Sequence, residues 1–262
     1  MSGPGGALRC ELLKAWRAKV PALTALGFSL APIMGGLFMF ILKDPGRARA
    51  MGLIGAKAQI TAGTADWPTY FGVIAQAVAV GGSMLFALST AWVFGREFAE
   101  RTVKLTIALP TSRAAVVTAK FVVVAAWSIA LAAWVFGLSL GIGWLVGLPG
   151  WSMDAAFSAS GNVAATAGLT IALLTPIAFI ASAGRGYLAP VGFAILMVFL
   201  AQILAATGWG GWFPWSVAPL FAGIAGPRGA QLGIHSYVIV GVTSMLGFLA
   251  TLAWWRFADQ TT

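Results

Sequence analysis

Six long apolar runs dominate this sequence, at about 21–42, 69–95, 114–147, 161–183, 187–206 and 234–255. A helix rises about 1.5 Å per residue and the hydrocarbon core of a bilayer is about 30 Å thick, so roughly 20 apolar residues cross it. Each run reaches that length within a few residues. Charged residues make up only 9% of the chain, against roughly 25% in a soluble domain, and the mean hydropathy is +0.90. A water-soluble fold of 262 residues would need more polar surface than this. The fold class expected is therefore an all-α membrane protein, a single transmembrane domain over residues 1–262. The first run, Pro21 to Leu42, exceeds the roughly 7–15 residues of a signal-peptide core and reads as a retained span.

Ahead of the first span, "ALRCELLKAWRAKV" (7–20) places Leu8, Leu12, Leu13, Trp16 and Val20 at helical spacing, with Arg9, Lys14, Arg17 and Lys19 mostly elsewhere on the wheel. This is the pattern of an amphipathic helix lying in the membrane interface. With the N-terminus inside, the inner segments hold eleven Lys and Arg residues and the outer ones five: Lys43, Arg47, Arg49, Lys57 and Arg228. That bias places both termini in the cytoplasm. The net charge of +9 then reads as inner-loop charge facing anionic lipid. No basic stripe is interleaved with aromatics, so no nucleic-acid partner is expected. A lone Cys10 permits no intrachain disulfide and no thiolate metal cluster.

Chemistry is sparse. The carboxylates are Glu11, Asp44, Asp66, Glu97, Glu100, Asp154 and Asp259, and none falls at mid-span; His235 is the only histidine. Proton-driven transporters keep an ionisable relay within the membrane, and nothing here supplies one. No His, Cys and carboxylate cluster has metal-ligand spacing, and no histidine is placed to activate a serine. "GLIGAKAQ" (52–59) lacks the spacing of a phosphate loop. No catalytic residue and no metal site is therefore assigned. A chain of this kind needs its energy from elsewhere.

Residues 96–120, "REFAERTVKLTIALPTSRAAVVTAK", carry seven charges between two apolar runs. Glu97, Glu100, Arg101 and Lys104 share one face of a helix, and the pairs Glu97–Arg101 and Glu100–Lys104 run in the favourable i to i+4 direction. Phe98, Thr102, Leu105 and Leu109 form a more apolar face. Pro110 ends the helix, and Thr111 or Ser112 caps the next span. Arg113 and Lys120 are expected to snorkel toward lipid phosphate. The loop is thus a short two-faced helix. It either anchors two spans in the interface or docks a partner of mixed charge.

The acidic stretch, then "ALPTSR", then a basic residue opening a long helix, resembles the permeases of type-two ABC exporters. "SAGRGYLAPVGFAILMVFLAQILAATGWGGWFPWSVAP" (182–219) is similar to the bacitracin and lantibiotic type and to sodium-efflux permeases of the same class. Many relatives have a glycine after the acidic pair, where this chain has Arg101. The resemblance implies a bacterial cytoplasmic membrane location, a partner ABC ATPase carrying ATP and Mg²⁺, and two copies of each chain. It also implies a coupling helix within Glu97 to Arg113: Glu97, Phe98, Glu100, Arg101, Lys104, Pro110 and Arg113. The turn Gly184–Arg185–Gly186 is either a second contact or a plain helix reversal.

Polar groups at span depth mark a substrate pathway or bonds between helices: chiefly Gln76 and Gln202, with Thr175. Segment 207–233, with Phe213 and Trp215, is either a re-entrant hairpin covered by protein or an interfacial aromatic belt. Pro32 and Pro176 are expected to kink their spans. Ala133, Gly137 and Gly141 form a small-residue face expected to allow close helix packing. An apolar, Trp-rich interior suits a lipophilic or peptide-like cargo. The competing readings are sodium efflux, an ATP-independent secondary transporter, or a channel.

Overall fold

The computed structural model describes residues 4–52, 64–100, 102–103, 112–226 and 232–258. The described residues are helical, with no strand among them. The helix expected at the interface is α1 (Pro4–Trp16), followed by α2 (Val20–Lys43), a short α3 (Pro45–Ala50), α4 (Trp67–Ala99) and α5 (Arg113–Val146). After these come α6 (Met153–Ala172), α7 (Leu174–Ala183), α8 (Leu188–Ala206), a 3₁₀ turn Gly210–Trp212, α9 (Pro214–Phe221) and α10 (Ile234–Phe257). Six helical stretches are long and apolar enough to cross a membrane; α6 and α7 together form the fourth. The chain is a multi-pass membrane protein.

The spans begin where local chemistry satisfies the first backbone N–H groups. Asp66 accepts from the Thr69 N–H, Ser112 from Ala115 and Ser152 from Ala155, at 2.9, 3.2 and 3.0 Å. The Ser152 cap is why the fourth span starts at Met153 rather than near 161: "MDAAFSAS" is only mildly apolar, but its first turn is capped. Burial raises the Asp66 pKa, but the hydrogen bonds from Thr64 and Thr69 outweigh it and hold the carboxyl below its ordinary value. At its far end α5 closes with Gly147 at φ 66 and paired bonds from Gly147 to Trp144 and from Leu148 to Gly143. Lys43 donates to the remaining carbonyls of Val146 and Gly147 at 2.9 and 2.7 Å. A basic residue counted with the outer loops therefore caps a helix whose dipole favours a cation there.

Helix α4 is the spine, touching α2 and α5 through α9. Trp67, Tyr70, Ile74, Val78, Phe86 and Phe94 are buried along its length. Its 33 residues give a rod of about 50 Å, longer than the hydrocarbon core. The outward faces are apolar: Leu23, Leu26 and Leu30 on α2, Ile195 and Phe199 on α8, Met245 and Leu249 on α10 are exposed. Such a surface suits lipid and not water.

The fourth span breaks at Leu173 because Pro176 has no N–H to give the Ala172 carbonyl. The Thr175 hydroxyl donates to that carbonyl at 3.3 Å and also to Ser244 on α10 at 2.7 Å. Gly247 of α10 lies against this break: a Cβ there would sit 2.4 Å from the Pro176 nitrogen. By contrast Pro32 lies inside an unbroken α2. On α5, Ala133, Gly137 and Gly141 are exposed, and no atom lies within 4 Å of a Cβ built at either glycine. Packing within the chain does not explain that face, contrary to expectation.

Segment 207–226 packs on α8 and on the start of α10. Ser216 on α9 is buried and donates to Ala201 on α8; Ser236 at the start of α10 donates to Gly211 in the 3₁₀ turn. The two tryptophans Trp209 and Trp212 stay exposed.

Candidate functional site

One end of the bundle gathers α1, the end of α4, the start of α5, the α7–α8 turn and the end of α10. Helix α1 lies on α5 through Ala7 and a partly buried Leu8, against Val116 and Ala119. Leu12, Leu13 and Trp16 remain exposed, as lipid-facing residues of an interfacial helix would. The inward stripe of α1 is Ala7, Glu11 and Lys14, at i, i+4 and i+7. The helix thus turns two charges toward the protein.

Those charges meet two more. The Lys14 ammonium lies 2.6 Å from Glu11 Oε1 and 2.8 Å from Glu97 Oε1. Lys120 Nζ lies 3.2 Å from Glu11 Oε2 and 3.1 Å from Glu97 Oε1, and donates to the Val93 carbonyl at 2.9 Å. Each lysine touches both glutamates, so the four form a neutral ring joining α1, α4 and α5. Glu97 and Lys120 are 3% and 1% exposed. The rings of Phe94 and Trp255 flank the Lys120 ammonium. Burial lowers the Lys14 pKa, but the carboxylates of Glu97 and Glu11 more than reverse it, to about 12.

The structure gives Glu97 and Glu100 partners that the sequence reading did not name. Glu97 belongs to the last turns of α4, since that span runs on to Ala99. It points into the bundle and is buried in the ring. Glu100 pairs backward with Arg96 at 3.4 Å. Lys120 does not snorkel to lipid; it is buried in the ring. Arg113 donates to the Trp255 and Arg256 carbonyls at 3.2 and 3.3 Å, capping the last turn of α10. Phe98 packs edge-on against Trp255. Arg101, Lys104 and Pro110 lie outside the described residues.

The chain leaves α4 directly from the ring: the Thr102 N–H bonds the Glu97 carbonyl at 2.8 Å, and Val103 is buried. The α7–α8 turn lies alongside, with Arg185 exposed at φ 50. A Cβ at Gly95 would sit 2.7 Å from the Gly186 carbonyl oxygen. Burial and the nearby Glu100 carboxylate push the Tyr187 phenol up.

The polar span residues scatter. Gln76 donates to the Gly223 carbonyl at 3.2 Å and lines a cleft at the other end of the molecule. Thr175 ties α7 to α10. Gln202 is exposed on α8 and bonds no described residue. Phe213 and Trp215 are half-buried, with Trp215 edge-on to Phe193 of α8. Sequence reasoning missed Glu11, Lys14 and Lys120 as partners of Glu97. The available signal was opposite charge at i, i+3 on α1.

Six apolar spans and a buried charge ring at one end define a multi-pass membrane protein. The sequence matches the family described as ABC-2 family transporter protein over residues 7–201, and the chain belongs to that family. It is a membrane permease of the ABC exporter class, whose members in general work with an ABC ATPase. Among known proteins it is similar to the bacitracin transport permease protein BCRB of Bacillus licheniformis: 28% identical over 179 residues, 68% of this chain and 85% of the relative.

Proposed function

We propose that this chain moves a lipophilic or peptide-like cargo, such as an antibiotic or lipid, out across a bacterial cytoplasmic membrane. A separate ATPase subunit binds ATP and Mg²⁺ and drives the movement. Two permease copies and two ATPase copies make the working unit, with both termini in the cytoplasm. The observation that carries this reading is the charge ring at the mouth of segment 101–111. A motor gripping that segment pulls on α4 and α5 together, and the ring carries α1 with them. The three helices then move as one body between two packings. The name of the Bacillus relative supports an antibiotic cargo.

Gln202 favours the second copy. An amide on the outer face of α8 is costly in hydrocarbon without a partner, and a facing copy supplies one. Segment 207–233 acts in this reading as a re-entrant element, its broken backbone covered by α8 and α10.

The test is purification of the tagged chain from its native membranes. A phosphate-loop ATPase is expected to come with it in equal amounts, and cargo uptake into vesicles is expected to need both subunits and ATP. Uphill accumulation by the chain alone would overturn the proposal in favour of a secondary transporter.

A further inference from the structure

At the end of the bundle away from the ring, a cleft of about 580 Å³ opens between α4, α6 and the turn after α9. Sites for small ligands span about 300–1,000 Å³. Its walls are two helix faces of matching period. Thr69, Gly72, Val73 and Gln76 line it from α4, and Ala155, Ser158, Ala159 and Asn162 from α6, each set at i, i+3, i+4 and i+7. Small residues on both faces leave the space between the helices unfilled at this level. Gln76 and Asn162 each stand nine residues past the first residue of their helix, Trp67 and Met153. Both helices start at this end, so the two amides face the cleft at a similar depth, about 14 Å below the helix starts.

The chemistry of the lining is specific. Among the described residues no charged side chain contributes to it; their polar groups are hydroxyls and carboxamides. A carboxamide both donates and accepts, as a peptide group does. Gln76 uses one N–H on Gly223, which leaves its oxygen and second hydrogen available. The Asn162 side chain bonds no described residue. A charged ligand would lose hydration and find no counter-ion among the described lining residues; a neutral ligand bearing amides would find both partners it needs.

We propose that this cleft binds a neutral, amide-bearing segment of the cargo on the release side of the membrane, with Gln76 and Asn162 reading its peptide groups. The proposal rests on the permease reading for the direction of movement, but its binding chemistry stands on the cleft alone. Cys10 is the only cysteine and lies on α1 at the opposite end, so a Cys10→Ser background gives a clean reporter. In the intact complex, Ser158→Cys in that background is labelled from outside with a membrane-impermeant maleimide. Millimolar N-acetyl dipeptide amide is expected to slow labelling at least 5-fold, and an acidic dipeptide of the same size to leave it unchanged. Adding Asn162→Leu, which breaks no bond to a described residue, is expected to abolish the protection, as is Gln76→Leu. No labelling, equal protection by the acidic peptide, or protection that survives both leucine substitutions would overturn the proposal. The labelling needs no transport, so loss of ATPase association would sink the permease reading while leaving this result standing.

Discussion

Lys120 is a fully buried ammonium with two carboxylates and a carbonyl around it. Replacing it alone strands the negative charge of the remaining three ring members, and breaking a buried ion pair from one side costs about 3–5 kcal/mol. Lys120→Met is therefore expected to lower the thermal midpoint of the detergent-purified protein sharply. Adding Glu97→Gln leaves the neutral pair Glu11–Lys14 and is expected to restore most of the loss. A double variant no more stable than the single one would show that the ring does not act as a unit. Alkali provides a second check. With its pKa raised from 10.5 to about 12, Lys14 gives its full stabilisation below pH 10.5 and loses it as pH rises through 12. Stability measured against pH is thus expected to fall in that window in a Lys14-dependent way. Of this, only the Glu11–Lys14 spacing on α1 was legible in the sequence. The i to i+4 rule sees partners within one helix, whereas Glu97 finds Lys14 across 83 positions. What could be read was that Thr111 or Ser112 would cap α5, and Ser112 does.

At the scale of elements, hydropathy located all six spans to within a few residues at most ends, because spanning length leaves little freedom. It failed where polar caps and buried charge extend a helix past its apolar run, as at Met153 and at Ala99. The break at Pro176 was foreseen from the residue itself. Its repair by Thr175 and the close approach of Gly247 depend on which helix lies opposite, and no local pattern encodes that. Gly247→Leu is expected to push α10 off the break and cut the yield of folded protein severely. Thr175→Val, which keeps the shape and loses the hydroxyl, is expected to cost about 1 kcal/mol. A thermal melt of each reads the difference; equal effects would mean the contact is loose.

At the scale of the whole molecule, the interior of one chain is well filled, yet a lone amide on α8 faces outward. In a Cys10→Ser background, Gln202→Cys is expected to form a disulfide-linked dimer in native membranes under mild oxidation. An exposed control on the lipid face of α10, Met245→Cys, is expected not to. A purely monomeric Gln202→Cys band would remove the argument for a facing copy. Composition alone established the bilayer as solvent, but how copies meet depends on surface geometry that hydropathy averages away.

The contact between Gly95 and the Gly186 carbonyl sets the second span against the turn between the fourth and fifth, at the end where the charged connection emerges. With no room for even a methyl group between them, the tip of α4 cannot swing toward the α7–α8 hairpin without shoving it. Force applied to the front of the molecule therefore reaches the back through backbone touching backbone, a gear with no play in its teeth.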